Sequence, residues 1–274
     1  MERSVRQAVA FIRSRYYEPI TLSDVAAEVF VSPYHFSRIF SRAVGLTPGR
    51  YLTAVRLFAA KRMLLTTDLT VSDIVCSVGY NSVGTFTSRF TRAVGMSPTQ
   101  YRDPAVARLT VAASDDFARL PDLGDMIEAS RDRRVRSEAA GVLEGSLDIP
   151  TTVGGVDALV GVFDDAAPQG APVAFEAFTA HGRTEFEVTG VPNGSYHVIA
   201  VAMPYGGRAD AARALTAGTR ARVTIASGLN TYVSLVMDLA EETAPPIAVT
   251  LADASAAGTD FRRTGDRGLQ PTVA

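Results

Sequence analysis

The stretch FSRIFSRAVGLTPGRY, residues 36–51, is followed fifty positions later by FTSRFTRAVGMSPTQY, residues 86–101. Eight of the sixteen aligned positions are identical. The apolar residues of the first copy follow the i, i+3, i+4, i+7, i+8 spacing of a helix with one buried face. Arg38 and Arg42 fall off that apolar stripe. The repeat therefore predicts two copies of one amphipathic helix, with arginines on the outer side.

Capping signals mark the ends of these predicted helices. Ser32 and Pro33 stand at the start of the first predicted helix, as its N-cap and its first position. Gly45 follows the same helix, in a position that glycine prefers. Upstream, residues 21–24 and 70–73 each read as a capping box with Asp in the usual Glu position. Each copy thus predicts a short helix, a turn of about four residues and a longer helix, which is the layout of a helix-turn-helix unit.

Between the copies, residues 48–65 read as one continuous helix. Eighteen residues at about 1.5 Å each make a rod of about 27 Å. Such a rod, with the units it joins, can hold two reading helices about 34 Å apart, which is one turn of DNA. We therefore expect one chain to engage two successive major grooves.

Residues 5–102 resemble the DNA-binding domain of AraC-type bacterial transcription regulators. That family has two helix-turn-helix units joined by a long helix and ends in a Gly-x-x-Pro-x-x-Tyr-Arg segment, which is GMSPTQYR at residues 95–102 here. The resemblance implies a sequence-specific regulator, activator or repressor, with double-stranded DNA as its partner. It also implies RNA polymerase as a further partner if the protein is an activator.

The resemblance further implies which side chains meet DNA. Arg38 is expected to pair with a guanine, because its planar fork matches guanine O6 and N7. In the second copy Ser88 stands where family members often carry arginine, and Arg89 is one residue along. That helix is therefore expected chiefly to grip phosphates. The predicted DNA-binding residues are Ser32, Tyr34, His35, Ser37, Arg38, Arg42, Ser82, Val83, Thr85, Ser88, Arg89 and Arg92.

Charge is divided unequally along the chain. Residues 1–105 carry thirteen Lys and Arg against seven Asp and Glu, a net charge of +6, whereas residues 106–274 have a net charge of −8. A basic half of this kind indicates contact with a polyanion, and the acidic half does not. The overall charge of −2 conceals this difference.

The second half of the sequence predicts a different fold class. Residues 105–136 read as a linker with one short helix, and residues 137–252 as about eight short strands of an antiparallel β-sandwich. Residues 186–196 resemble the strand-turn-strand segment of transthyretin-like or carboxypeptidase-regulatory-like sandwiches. Residues 253–274 are expected to be disordered. The predicted protein is thus multidomain, with an all-α double helix-turn-helix domain at residues 1–104 and an all-β domain behind it.

Several functional classes find no support in the sequence. It contains no G-x-S-x-G elbow, H-E-x-x-H helix, P-loop or dinucleotide fingerprint, so we expect neither an enzyme nor a cofactor. Cys76 is the only cysteine, so we expect no disulfide and no metal site, and we expect its side chain to be buried. No apolar run approaches membrane-span length and the N-terminus does not read as a secretory signal, so the cytoplasm is the expected location.

Two roles for the C-terminal domain stay open at this point. It is either a sensor for a small-molecule effector or a surface for self-association or a protein partner, and the oligomeric state is undetermined. A different class of function is also open. In that alternative the chain is a protein-interaction or ligand-binding module and its DNA binding is incidental.

Overall fold

The computed structural model describes residues 2–136, 141–204 and 214–252. The tail predicted to be disordered, residues 253–274, lies outside the described residues, as do the first four residues of the predicted β-domain. None of the helices in the described ranges combines the length and apolarity needed to span a membrane.

The N-terminal third of the chain is helical, as predicted. Its helices are α1 (Glu2–Arg15), α2 (Leu22–Glu28), α3 (Pro33–Val44), α4 (Pro48–Thr66), α5 (Val71–Ser77), α6 (Val83–Val94), α7 (Pro98–Tyr101) and α8 (Pro104–Arg108).

Local capping explains why these helices begin and end where they do. Thr21 and Asp24 exchange side-chain and backbone hydrogen bonds at the start of α2, and the residues of the second copy, Thr70 and Asp73, do the same at α5. Helix α3 ends at Gly45 in the left-handed region, with φ of +80°. The predicted caps are therefore confirmed.

Two hydrophobic cores lie along the long helix α4. One half of α4 packs with α1, α2 and α3, and the other half packs with α5, α6 and α7. Each core holds an aromatic trio whose rings meet at tilted or edge-to-face angles. The trios occupy equivalent positions of the two copies and are fully buried: Phe36, Phe40 and Tyr51, and Phe86, Phe90 and Tyr101.

The expected burial of Cys76 was wrong. Its side chain is exposed on α5. The apolar face of α5 consists of Ile74, Val75 and, one turn on, Val78. Cys76 lies two residues after Ile74, about 200° around a helix, and so falls on the opposite side.

The segment predicted as a linker with one short helix, residues 105–136, contains that helix in longer form and also two strands. After α8 it forms β1 (Thr110–Ala113), β2 (Ala118–Arg119) and α9 (Leu123–Arg136). Strand β1 lies between β2 and β12 (Ile247–Thr250), with antiparallel pairing to both. Sequence reasoning missed β1 because its partner lies more than 130 residues along the chain.

The remaining strands form two further sheets, one of three strands and one of six. The strands are β3 (Gly141–Asp148), β4 (Val156–Phe163), β5 (Ala174–Ala180), β6 (Arg183–Val191), β7 (Gly194–Pro204), β8 (Leu215–Gly218), β9 (Val223–Ile225), β10 (Thr231–Val236) and β11 (Asp238–Leu239). One sheet has the order β10-β3-β6, and the other has the order β11-β8-β7-β4-β5, with β9 pairing to β7. Side chains from both sheets share one core.

Two features differ from the predicted all-β antiparallel domain. Strand β10 runs parallel to β3, although the other pairings in the described residues are antiparallel. Helix α9 covers the outer face of the larger sheet, where Met126 packs with Phe175. The Ser130 hydroxyl donates to the Phe175 carbonyl at 2.9 Å. Alternation of apolar residues does not determine strand direction, and it cannot show which helix covers a sheet face.

The helical domain and the C-terminal region are in direct contact. Lys61 of α4 is fully buried, and its ammonium donates to the Gln169 carbonyl at 2.8 Å, the Gln169 Oε1 at 3.0 Å and the Ala248 carbonyl at 2.7 Å. Its three N–H donors are thereby matched by three acceptors. These acceptors come from the β4–β5 connection and from β12, so one side chain ties both segments to α4.

The two helix pairs differ at one residue of the turn. Phe30 follows α2 with φ of +56° and is 93% exposed, and Gly79 follows α5 with φ of +78°. A side chain in the left-handed region costs about 1 kcal/mol or more relative to glycine. A Cβ at Gly79 would also lie 2.8 Å from the Tyr16 carbonyl oxygen.

We predict opposite effects of substitutions at these two turns. Phe30→Gly should raise the free energy of unfolding by about 0.5–1 kcal/mol, because it relieves the backbone and loses almost no packing. Gly79→Ala should lower it by more than about 1 kcal/mol. Gly45→Ala is the matched control, since it has a similar φ but no atom within 4 Å of the new Cβ. Urea unfolding measures all three, and equal losses for Gly79→Ala and Gly45→Ala would contradict the steric account.

A second prediction concerns pH. Burial lowers the pKa of Lys61 to about 7 from its usual 10.5. Between these values the unfolded chain binds more protons than the folded chain, so this group makes stability rise with pH. Relative to Lys61→Met, the wild-type free energy of unfolding should gain up to about 3 kcal/mol between pH 7 and pH 9. Denaturant unfolding at both pH values checks this, and parallel pH profiles of the two proteins would refute it.

Candidate nucleic-acid interface

Helix α3 presents the first set of predicted DNA-binding residues. The Ser32 hydroxyl caps the helix by accepting the His35 backbone N–H at 3.4 Å, and Pro33 occupies the first position. Phe36 and Phe40 are fully buried on the inner side. Packing of these two rings therefore fixes which side of α3 faces outward.

The outer side of α3 carries the predicted contact residues. Tyr34 is 82% exposed, and the side chains of His35, Arg38 and Arg42 are exposed as well. Ser37 is half-buried. The exposed position of Arg38 meets the first requirement of the predicted base contact, because a guanidinium buried in the protein would not reach a groove.

Helix α6 repeats this arrangement. The Ser82 hydroxyl accepts the Thr85 backbone N–H at 3.3 Å, and Phe86 and Phe90 are buried on the inner side. The predicted contact residues of this copy are exposed: Val83, Thr85, Ser88, Arg89 and Arg92.

The N-terminal ends of α3 and α6 differ from those of the helices before them. Helices α2 and α5 carry Asp24 and Asp73 in their first turns, whereas α3 and α6 have no acidic residue there. Free backbone N–H groups and the helix dipole favour anions at such ends. The positive ends of α3 and α6 are therefore left without a neutralising carboxylate from their own first turns and suit contact with phosphate.

Two groups of arginines in the helical domain differ in their carboxylate partners. Those facing the C-terminal region pair with its carboxylates, Arg13 with Asp115, Arg50 with Asp165 and Arg62 with Asp116. Within the residues that the structure describes, the second group has no carboxylate partner, and it consists of Arg38, Arg42, Arg89 and Arg92. Positive charge thus remains uncompensated on the outer sides of α3 and α6.

Arg56 is a structural arginine that adds to the positive potential near α6. Its guanidinium donates to the Tyr16 and Glu18 carbonyls, both at 2.7 Å. Burial lowers the pKa of Arg56, Tyr80 opposes this, and the positive charge of Arg89 adds to the lowering. Arg89 therefore extends a cationic surface that begins at α4.

The structure shows how two predicted DNA contacts combine with the predicted caps. The Ser32 and Ser82 hydroxyls accept backbone N–H groups as helix caps, and each keeps its own O–H as a donor for a DNA phosphate. The pairing of Arg13, Arg50 and Arg62 across the domain contact was not predicted. The opposite charges of the two halves were the signal that could have indicated it.

Comparisons with known proteins concern this helical part. Residues 25–104 match the family model described as Helix-turn-helix domain. The chain is 38% identical over 98 residues to the melibiose operon regulatory protein of Escherichia coli, covering 36% of this chain and 32% of that protein. It is 33% identical over 102 residues to the lactose operon transcription activator of Staphylococcus xylosus, covering 37% of each. The chain thus spans about a third of the length of the curated relatives it matches.

Solved structures give related matches. The C-terminal domain of the response regulator AraT from Geobacillus stearothermophilus is 35% identical, with a TM-score of 0.35 and coverage of 36% of this chain and 83% of that one. The DNA-binding domain of AdpA in complex with a target DNA is 29% identical, with a TM-score of 0.36 and coverage of 38% and 94%. By its sequence motif, its family match and its relatives, the segment 25–104 is similar to the helix-turn-helix domains of AraC-type regulators.

Proposed function

We propose that this chain is a sequence-specific transcription regulator that binds double-stranded DNA through α3 and α6. The observation that carries the proposal is Arg38, which is exposed on the outer side of α3 and has no carboxylate partner among the described residues. A free guanidinium fork can pair with O6 and N7 of guanine. The three arginines that face the C-terminal region, by contrast, are already paired.

The length of α4 supports the use of two adjacent major grooves. Its nineteen residues make a rod of about 28 Å, and each end packs against one helix pair. The centres of adjacent major grooves lie about 34 Å apart on one duplex face. One protein chain then provides both reading helices.

The two reading helices are assigned different contacts with DNA. Helix α3 has Arg38 at the position that the family resemblance assigns to base contact, and α6 has Ser88 at the corresponding position. Arg89 is displaced from that direction by about 100° around the helix. We therefore assign most base readout to α3 and mainly phosphate contact to α6, through Arg92 and the open N-terminal end of the helix.

The C-terminal sheets are assigned a regulatory part in this proposal. Their shared core makes them a β-sandwich with α9 on one face, which serves as a sensor or assembly domain. We place the domain boundary between α8 and β1, because β1 pairs with the C-terminal strand β12. RNA polymerase is a partner if the protein activates transcription, and access to the chromosome requires a cytoplasmic location.

One observation favours a second candidate function. Phe30 and Tyr34 are 93% and 82% exposed, and both lie close to the start of α3. Exposed aromatic side chains are frequent in protein interfaces. In this alternative α3 docks a protein, and DNA binding is incidental. Salt dependence separates the two functions, because DNA affinity gained by counterion release falls steeply as salt concentration rises.

We predict distinct effects for two exposed arginines. Arg38→Ala should weaken binding to a selected duplex by about 1–3 kcal/mol and relax preference at one base pair. Arg92→Ala should weaken selected and random duplexes alike and reduce the salt slope by about 1. The duplex is first obtained by selection from a random pool with the full chain, and fluorescence anisotropy then measures affinity over a range of salt concentrations.

Arg3→Ala is the matched control, because Arg3 is an exposed arginine of α1 that is not among the predicted DNA-binding residues. It should leave both affinities within twofold of the wild type. Equal losses on selected and random DNA for Arg38→Ala would remove the base-reading role. Absence of any salt-dependent binding by the full chain would favour the protein-docking alternative.

A further inference from the structure

A cavity lies where the helical domain meets the C-terminal region. It measures about 490 Å³ and is lined from both sides of the contact. Helices α1 and α4 form one wall, and the β1–β2 turn with Pro246 forms the other. Small-molecule sites in proteins measure about 300–1,000 Å³ and occur often between domains. The volume and position of this cavity therefore suit a small ligand.

The floor of the cavity is apolar. Val55, Phe58, Ala59 and Met63 lie along one face of α4 and line it together. Phe58 also meets the Phe117 ring edge-to-face, with ring centroids 6.2 Å apart. A ligand with an aliphatic or aromatic body would be removed from water against this surface.

The rim of the cavity is charged and spans the domain contact. Arg13 of α1 pairs with Asp115, and Arg62 of α4 pairs with Asp116. Both carboxylates belong to the β1–β2 turn. These ion pairs join the same two bodies that a ligand in the cavity would touch.

Hydrogen-bonding capacity at the rim is unevenly used. Arg13 uses each of its three nitrogens, which donate to the Tyr51 hydroxyl, Asp115 and the Ala244 carbonyl. Both oxygens of Asp116 accept, one from the Ser114 hydroxyl and the other from Arg62.

Arg62 retains donors that could serve a ligand. Only its Nη1 donates among the described residues, although a guanidinium has five N–H groups. Its guanidinium lies 5.9 Å over the Phe117 ring, beside the apolar floor. The fork therefore has room for a second, bidentate acceptor.

We propose that this cavity binds a small carboxylic acid with an aliphatic or aromatic body. The body lies on the floor formed by α4, and the carboxylate accepts hydrogen bonds from Arg62. The ligand carboxylate shares Arg62 with Asp116, and by dividing the guanidinium charge it weakens one of the ion pairs between the domains. The site itself does not depend on the DNA-binding role, whereas an effect of the ligand on DNA affinity rests on the proposed function.

Calorimetric titration of the full chain tests the site without DNA. The probes are octanoate and 3-phenylpropionate, with octan-1-ol as the uncharged analogue and octylamine as the cationic one. At least one acid should bind tenfold or more tightly than octan-1-ol and octylamine. Arg62→Gln should reduce acid affinity at least tenfold and leave the affinity for the alcohol within twofold. Ala59→Phe should abolish both by filling the cavity.

Arg3→Gln is the matched control for loss of one exposed arginine and should leave acid binding unchanged. Thermal melting confirms that each variant is folded. The proposal is overturned if neither acid binds at millimolar concentration, if acid and alcohol bind equally, or if Arg62→Gln binds acid as the wild type does. Preference for octylamine would also overturn it, because the aspartates would then be the ligand-binding groups.

A separate measurement examines the effector role. Anisotropy of a selected duplex with and without the acid that binds should show at least a threefold change in DNA affinity. Calorimetric binding without such a change would confine the conclusion to a ligand site and remove the effector role. Failure of DNA binding altogether would count against the proposed function and leave the calorimetric result standing.

Discussion

The buried ammonium of Lys61 is the interaction on which the arrangement of this protein depends. Helix α4 is enclosed on several sides, with one helix pair at each end and the C-terminal region against its middle. Lys61 lies at that middle and reaches the Gln169 and Ala248 carbonyls. Burying a charge is expensive unless each donor is matched, and here each donor has an acceptor. Because burial lowers the pKa of Lys61 to about 7, we infer that this group specifies the docking geometry more than it adds stability.

The docked geometry also determines which charges stay available. Once the C-terminal region lies against α1 and α4, its carboxylates pair with the arginines of that side. Arg38 and Arg92 lie on the outer sides of α3 and α6 and keep their charge uncompensated by described carboxylates. The acidic half of the chain thus neutralises one surface of the basic half and leaves these outer arginines of α3 and α6 without a described carboxylate partner. The cavity beside Phe58 arises at the same contact.

Sequence reasoning succeeded where structure is determined locally. The capping boxes at Thr21 and Thr70 involve residues three positions apart, and the aromatic spacing of α3 and α6 follows from helical periodicity. It failed where strands pair over a long distance in sequence. Strand β1 was predicted as part of a linker, because its partner β12 lies near the other end of the described residues. The burial of Cys76 was predicted from residue type, although the helix face, which sequence spacing does contain, decides exposure.

The sequence by itself determined the repeated helix pair, its caps and its outward arginines, because each of these depends on neighbours within a few residues. It also determined the opposite charges of the two halves, because these depend only on composition. Only the tertiary structure decided which arginines are paired, that Lys61 is buried, that β10 is parallel to β3 and that a cavity separates α4 from the β1–β2 turn. These features depend on which distant surfaces meet. Which distant surfaces meet is decided by the packing of the whole chain, and a local pattern of residues does not contain that information.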